Sequence, residues 1–167
     1  QAKAISQQTR DITISAKRGT IYDRNYKALA ISATAYKIVL APSIIEDEEI
    51  RQIILDGLPP ILGIEKETVE NSLAKNTAYD VIARRVEKDV ADQVREFVSD
   101  NELGQYISIL DDPKRYYPYN DFAAHVIGFV GSDNQGLAGL EAQYEEYLKG
   151  EDGRVIAAKN ANNTDMP

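Results

Sequence analysis

The stretch that decides the fold is RGTIYDRN, residues 18–25. It sets fixed charges beside a glycine, and two later stretches repeat a similar combination: RYYP at residues 115–118 and GLAGLE at residues 136–141. Because Gly and Pro decide which turns the backbone can take, charges beside them predict a polar cluster held in one geometry. None of the three stretches pairs a nucleophile with a base, so together they predict a structural joint rather than an active site.

Size and net charge limit the classes of protein to which the chain can belong. Its 167 residues suffice for one ordinary domain, or for two small lobes that share a core. The net charge of −8 argues against general nucleic-acid binding, which needs Lys and Arg to displace counterions. It also argues against a polybasic patch at a membrane surface. We therefore expect no nucleic-acid partner.

Few residues are suited to catalysis or metal binding. The chain has no cysteine, which excludes disulfides, thiolate catalysis and cysteine zinc sites. Its single histidine, His125, has no carboxylates at a ligand spacing, and it fits the edge of a core better than the role of a general base. We expect no cofactor, no metal and no small-molecule ligand.

The two ends of the sequence indicate a fragment. The chain begins with Gln1 and ends at Pro167 after a polar tail, and no signal peptide is visible. No apolar run approaches the roughly 20 residues that a membrane span needs. We expect an excised piece whose missing flanks hold a membrane anchor or a catalytic domain.

The period of the apolar residues changes along the chain. Alternation predicts a strand over 12–17, and β-branched residues predict one or two strands over 29–41. Further strands are predicted over 106–110 and 154–158. Helical spacing predicts three helices between residues 46 and 103, interrupted by a short strand at 79–83.

Several local features refine this pattern. Residues 23–27 predict a hairpin turn, and Pro59-Pro60 is expected to break the first helix. Residues 111–120 predict a polar loop, in which the acidic pair Asp111-Asp112 fits a solvated turn. A last helix over 136–148 is predicted to have an apolar stripe formed by Leu140, Tyr144, Tyr147 and Leu148.

The order of elements predicts an α+β fold. Segments 12–44 and 105–160, from the two ends of the chain, are expected to build an elongated β-rich anchor lobe. Segment 45–104 is expected to form an inserted α-rich head lobe, and residues 161–167 a linker.

A catalytic alternative comes from two short matches. Ser72 and Lys75 form Ser-x-x-Lys, and residues 132–134 read Ser-Asp-Asn, two of the motifs of serine β-lactamases and penicillin-binding enzymes. No Lys-Thr-Gly or Lys-Ser-Gly occurs in the chain. Ser72 also lies near the end of an amphipathic helix, whereas such a nucleophile should begin a buried one. An acylating serine enzyme is therefore a disfavoured alternative, and a freestanding protein-interaction module is another.

The three opening motifs resemble those of the N-terminal non-catalytic module of class B penicillin-binding proteins. The first family pattern, Arg-Gly-x-Ile-x-Asp-Arg-Asn-Gly-x-x-Leu-Ala, matches residues 18–30 except that Tyr26 stands where Gly is usual. The second, Arg-x-Tyr-Pro and then Ala-Ala-His-x-x-Gly, matches residues 115–118 and 123–128. The third, Gly-x-x-Gly-x-Glu, matches residues 136–141. The resemblance covers residues 14–158 and leans toward sporulation-type or division-type enzymes.

The resemblance implies a pedestal, or dimerisation, module without an active site of its own. The parent protein would be a peptidoglycan D,D-transpeptidase at the extracytoplasmic face of the bacterial membrane, tethered by an N-terminal span that this fragment lacks. Residues 161–167 would lead to its C-terminal transpeptidase domain. Expected partners are that domain, membrane proteins of cell-wall synthesis and a second copy of the chain.

A rigid pedestal needs a polar joint, and the motif residues predict one. We expect a partly buried ion network because the planar fork of Arg suits carboxylate partners. Its predicted members are Arg18, Asp23, Arg24, Asn25, Arg115 and Glu141, with motif turns at Gly19, Pro118, Gly136 and Gly139.

Overall fold

The computed structural model describes residues 9–119 and 124–158. The predicted linker 161–167, the last two residues of the predicted anchor lobe and Ala123 of the second motif lie outside this range. The described strands are β1 Thr9–Ile14, β2 Ile21–Tyr22, β3 Ala28–Ala33, β4 Tyr36–Leu40, β5 Asp80–Val86, β6 Ile107–Asp111, β7 Lys114–Tyr116 and β8 Gly153–Ala158. The helices are α1 Glu48–Leu62, α2 Lys66–Leu73, α3 Lys88–Asp100, α4 Ala124–Ile127, α5 Gly139–Gln143 and α6 Glu145–Leu148, with a short 3₁₀ helix at Pro42–Ile44.

Within the described residues the strands form three small antiparallel sheets. Their orders are β5-β4-β6, β2-β3-β7 and the two-stranded β1-β8. The turn at residues 23–27 joins β2 to β3 as the sequence predicts, because the Asp23 carboxylate accepts hydrogen bonds from the backbone N–H groups of Asn25 and Lys27. Strands and helices are thus both present in separate small units, and the predicted α+β class is confirmed.

The main core lies between the first three helices and the β5-β4-β6 sheet. Its fully buried side chains include Ile54 and Leu58 of α1, Val94 of α3, and Ile38 and Leu40, which alternate along β4. Strands β4 and β6 belong to this sheet although the sequence assigns them to the anchor lobe. The sheet therefore spans the predicted lobe boundary, and the division of the chain into lobes stays a prediction.

The expected break at Pro59-Pro60 is wrong. Helix α1 continues through both prolines to Leu62 and ends at Gly63, whose φ of 64° lies in the left-handed region that stops a helix. The prolines remove two backbone donors, but Leu58 and Pro59 are buried, and Ile61 and Leu62 pack against the core. Packing on both sides of the pair outweighs the missing hydrogen bonds.

Two expectations in the second half of the chain are also wrong. The predicted loop 111–120 contains strand β7, which pairs with β3 through Ser32 opposite Arg115. The predicted helix over 136–148 is two short helices that meet at Tyr144, and Tyr144 and Tyr147 are exposed rather than part of an apolar stripe. In both segments the buried inward residue is charged, Arg115 in one and Glu141 in the other. The spacing of apolar residues is therefore a misleading guide to secondary structure there.

Candidate functional site

The centre of the candidate site is one fully buried carboxylate. Glu141 on α5 has 0% exposure, and its two oxygens each accept a hydrogen bond from a different arginine. The Nε of Arg18 donates to Oε2 at 2.5 Å, and the Nε of Arg115 donates to Oε1 at 2.8 Å. Arg18 and Arg115 are themselves buried. We call these three residues the Arg-Glu-Arg cluster.

Arg18 extends the cluster to the segment around α5 and α6. Its Nη2 donates to the main-chain oxygen of Glu141 at 2.5 Å, and its Nη1 donates to the carboxylate of Glu145 at 2.6 Å and to the main-chain oxygen of Asn134 at 3.2 Å. The guanidinium therefore uses all three nitrogens, which is the fork geometry that makes Arg suited to a buried joint.

Arg115 ties the cluster to the strands. Its Nη1 donates to the main-chain oxygen of Gly19 at 2.7 Å and to the hydroxyl of Ser32 at 3.1 Å. Tyr117 donates its hydroxyl to the Glu141 carboxylate at 3.3 Å. The Nη2 of Arg115 is buried and has no partner among the described atoms. Arg115 and Glu141 lie 97 and 123 positions after Arg18 in the chain, yet the three side chains meet at a single carboxylate.

Local structure explains how each residue reaches the cluster. Gly19 is held beside α6 because its N–H donates to the Leu148 carbonyl at 2.7 Å. Gly136 lies so close to α5 that a Cβ there would be 2.0 Å from the main-chain oxygen of Glu141. Only a residue without a side chain fits at that distance. Gly139, with a φ of 60°, begins α5.

The charges of the Arg-Glu-Arg cluster balance once Glu145 is counted with it. Arg18 and Arg115 face Glu141 and Glu145, so two positive and two negative groups are buried or half-buried together. Burial alone would raise the pKa of Glu145. The N–H of Gly136 and the guanidinium of Arg18 outweigh that effect and hold the pKa below its ordinary value. Burial, and then the negative charge of Glu141, raise the pKa of Tyr117.

The remaining predicted members lie outside the cluster. Asp23 forms the β2–β3 turn with Asn25, and Arg24 and Asn25 are exposed at its tip. Pro118 follows β7 and is exposed. The structure therefore brings together Arg18, Arg115 and Glu141, while Asp23 stabilises the hairpin turn and Arg24 lies exposed.

Sequence reasoning missed Glu145, Asn134 and Ser32. Glu145 had a usable signal, because it lies four residues after Glu141, the spacing of neighbours on one helix face. Asn134 contributes a main-chain oxygen, which no side-chain pattern can indicate.

A second polar joint was also missed. Asp112 is buried, and it accepts hydrogen bonds from the Arg84 guanidinium at 3.1 and 3.3 Å and from the Arg85 N–H at 3.0 Å. Arg85 in turn donates to the main-chain oxygens of Gly131 and Ser132. The expectation that Asp111-Asp112 is a solvated turn is thus wrong for Asp112, whose pairing with Arg84 compensates its burial.

The candidate serine nucleophile has a different environment from the one that catalysis needs. Ser72 is buried and donates its hydroxyl to Asp80 at 2.5 Å, and the Nζ of Lys75 bonds the same carboxylate at 2.9 Å. Burial opposes ionisation of Asp80, yet its bonds to Ser72 and Lys75 keep its pKa below the ordinary value. Ser132 lines a cavity of about 680 Å³ that neither Ser72 nor Lys75 borders. His125 is exposed on α4.

Neither a metal-ligand group nor a membrane-spanning helix is present among the described residues. No three His, Cys, Asp or Glu side chains in residues 9–119 and 124–158 are grouped as metal ligands would be. Across the same part of the chain, no helix has the length and apolar character of a membrane span.

The fold is similar to that of penicillin-binding proteins of known structure. The TM-score is 0.67 to PBP2 of Helicobacter pylori in its complex with MreC, at 24% identity over 96% of this chain and 33% of that one. To Penicillin Binding Protein 2X of Streptococcus thermophilus it is 0.63, at 25% identity over 94% and 26%.

Sequence comparison with curated proteins agrees with this structural similarity. The chain is 32% identical to Stage V sporulation protein D of Bacillus subtilis, over 95% of this chain and 24% of that protein. It is 28% identical to Peptidoglycan D,D-transpeptidase FtsI of Escherichia coli, over 88% and 25%. The chain thus spans about a quarter of the length of these relatives.

Fold and relatives together place the chain among the class B penicillin-binding proteins. A family model described as Penicillin-binding Protein dimerisation domain matches residues 13–166. The chain belongs to that family. The resemblance inferred from the three motifs is confirmed, and the relatives include a sporulation protein as well as FtsI.

Proposed function

We propose that this chain is the non-catalytic pedestal of a membrane-anchored peptidoglycan transpeptidase. It positions a C-terminal catalytic domain at the extracytoplasmic face of the bacterial membrane and provides contact surfaces for other cell-wall synthesis proteins. A pedestal determines where another domain works, so its own segments need one fixed arrangement.

The Arg-Glu-Arg cluster is the observation that carries this proposal. It joins the segment before β2, strand β7 and helix α5 at one carboxylate with no solvent exposure. Buried ion groups add little net stability compared with apolar packing, but their geometry is strict. A joint of this kind favours a single arrangement of the elements that support a neighbouring domain.

The surroundings of Ser72 support the non-catalytic part of the proposal. Its hydroxyl hydrogen bonds Asp80, and Lys75 forms an ion pair with the same carboxylate. A Lys that acts as base must be able to take the proton of the serine, whereas this Lys is engaged by an acid.

For partners, the comparison with PBP2 supplies a precedent. PBP2 of Helicobacter pylori has been solved in complex with MreC. We propose that this chain also has a protein partner, a membrane protein of cell-wall synthesis bound through the predicted head lobe 45–104, and that it pairs with a second copy. Sedimentation velocity of the chain at increasing concentration tests whether two copies associate. A monomer at all concentrations contradicts this pairing.

The pedestal role is tested in the parent protein with Glu141→Gln. This change keeps the size of the side chain and removes the charge that Arg18 and Arg115 share. In cells that depend on the variant, we expect peptidoglycan crosslinking to fall although the catalytic domain is still acylated by a fluorescent penicillin. Glu146→Gln is the matched control, because Glu146 is an exposed acid on the neighbouring helix α6.

Normal crosslinking by the Glu141→Gln parent would contradict the proposal. The sequence of the gene on both sides is an independent check. An upstream membrane span, with a downstream Ser-x-x-Lys and Lys-Thr-Gly, is the expected finding. A gene that encodes neither would favour a freestanding interaction module.

A further inference from the structure

Three tyrosine rings and a lysine form an exposed surface where the β2–β3 hairpin meets the segment after β7. Tyr22 is 55% and Tyr26 84% exposed, and their ring centroids lie 6.3 Å apart with the planes tilted by 57°. The Nζ of Lys27 lies 4.4 Å from the centre of the Tyr119 ring, which is 41% exposed. We call these four residues the tyrosine surface.

Tyr26 occupies its position against the preference of the backbone. Its φ of 59° lies in the left-handed region, where an aromatic residue is an outlier and Gly is favoured. The hairpin would form more easily with Gly at this position, because Gly has no Cβ to strain a positive φ. Backbone strain at a residue whose ring is mostly exposed points to a function for that ring, such as contact with a ligand.

The residues around the rings are polar. Arg24 and Asn25 lie at the same turn, are exposed, and have no side-chain partner within residues 9–119 and 124–158. Residues 22–27 contain no Leu, Ile, Val, Met or Phe. Tyr and Arg also occur in protein interfaces, but such interfaces are depleted in Asp and Lys, and both residue types stand in this turn.

Aromatic faces bordered by free guanidinium and amide groups suit a carbohydrate. The C–H groups on one side of a sugar ring are slightly positive and stack on the negative face of an aromatic ring. The hydroxyl and acetamido groups at the sugar edge can then bond Arg24 and Asn25. Because the Tyr22 and Tyr26 rings are tilted, they fit two successive sugars of a twisted strand better than one flat sugar.

We propose that the tyrosine surface binds the glycan strands of peptidoglycan. The proposal rests on the proposed cell-wall function, which brings this polymer to the protein. Binding there would hold the pedestal against the polymer on which its parent acts, independently of any active site.

The test is co-sedimentation of the chain with purified, protein-free peptidoglycan, followed by titration with soluble, peptide-free glycan strands. We expect Tyr26→Gly to weaken binding at least about tenfold, since one stacked ring is lost. The melting temperature should stay equal or rise, because Gly relieves the left-handed strain, so weaker binding cannot be ascribed to misfolding.

Tyr147→Ala is the matched control. Tyr147 is 83% exposed and also pairs with a second ring, that of Tyr144 at 6.3 Å, but it lies on α6 rather than at the hairpin. Binding by this variant should equal that of the wild type. Equal losses in the two variants would mean unspecific adsorption through aromatic rings and would overturn the proposal.

Two further results would overturn it: a wild-type chain that does not bind, or a Tyr26→Gly chain that binds normally. Shielding of Tyr26 from nitration in the full-length parent without glycan would identify the rest of that chain as the occupant, and the glycan proposal would then be wrong.

The pedestal role is judged separately, by the Glu141→Gln parent. Normal glycan binding with normal crosslinking in that variant would reject the pedestal while keeping the glycan site.

Discussion

At the scale of single residues, the candidate site depends on how Glu141 is neutralised. A carboxylate removed from water is strongly disfavoured unless charged donors replace its hydration. Arg18 and Arg115 each supply one such donor, and the Tyr117 hydroxyl supplies a third bond. Removing one donor therefore leaves part of the burial penalty of Glu141 uncompensated.

We expect Arg18→Ala to lower the free energy of unfolding by roughly 3–5 kcal/mol, because Glu141 and Glu145 lose a buried cationic partner. Arg24→Ala is the matched control from the same motif, since Arg24 is exposed. Thermal and urea unfolding of both variants measure the effect. An Arg18→Ala chain as stable as the wild type would show that the cluster behaves like a set of surface ion pairs.

Glu145 predicts an acid-dependent contribution to stability. Its folded-state pKa lies below the ordinary value of 4.5, so its contribution is present above that pH and is lost as the pH falls through the folded pKa. The difference in stability between the wild type and Glu145→Gln should therefore shrink as the pH falls from about 5 to about 3. A difference that is constant over this range would show that Glu145 does not titrate against Arg18.

The residue scale also shows where sequence reasoning works. Arg18, Arg115 and Glu141 could be selected because a fixed charge beside Gly or Pro is an unusual combination. Asp23, Arg24 and Asn25 share the first motif, but the shape of the turn directs them to the hairpin and away from the cluster. A sequence motif indicates which residues act in one region. Where each side chain points depends on backbone geometry, which the motif does not specify.

At the scale of elements, the contact between Gly136 and helix α5 positions the buried carboxylate. We expect Gly136→Ala to destabilise the chain by about 1–3 kcal/mol, because its Cβ would overlap backbone atoms of residues 141 and 142. Gly104→Ala is the control, as no atom lies within 4 Å of its Cβ. Calorimetry of both variants tests this, and equal melting temperatures would mean that α5 can shift without penalty.

The elements themselves were predictable to different degrees. Helices α1–α3 have a clear apolar period because each buries one stripe against the sheet, and the sequence predicts all three. Strand β7 and the pair α5 and α6 were misjudged because their inward residues are Arg115 and Glu141. Patterns of hydrophobicity find elements that bury apolar groups, and they fail where a fold buries paired charges.

At the scale of the whole molecule, the chain by itself should not react with β-lactams. Ser72 is buried, and Lys75 is paired with Asp80. We expect no covalent labelling of the isolated 167-residue chain by a fluorescent penicillin under conditions that label a full-length class B penicillin-binding protein. Labelling that Ser72→Ala abolishes would revive the acylating-enzyme alternative.

The β1-β8 ribbon determines how the molecule responds to pulling. Thr9 lies opposite Ala158 and Ile14 opposite Gly153, so chain that continues beyond residues 9 and 158 leaves from one end of the ribbon. Tension applied to the chain at residues 9 and 158 breaks the inter-strand hydrogen bonds one after another, starting from that end, rather than all at once. Single-molecule stretching should therefore show a small extension at low force before the main rupture. The ribbon is thus the part of the proposed pedestal that we expect to yield first under tension, at a force below that of the main rupture.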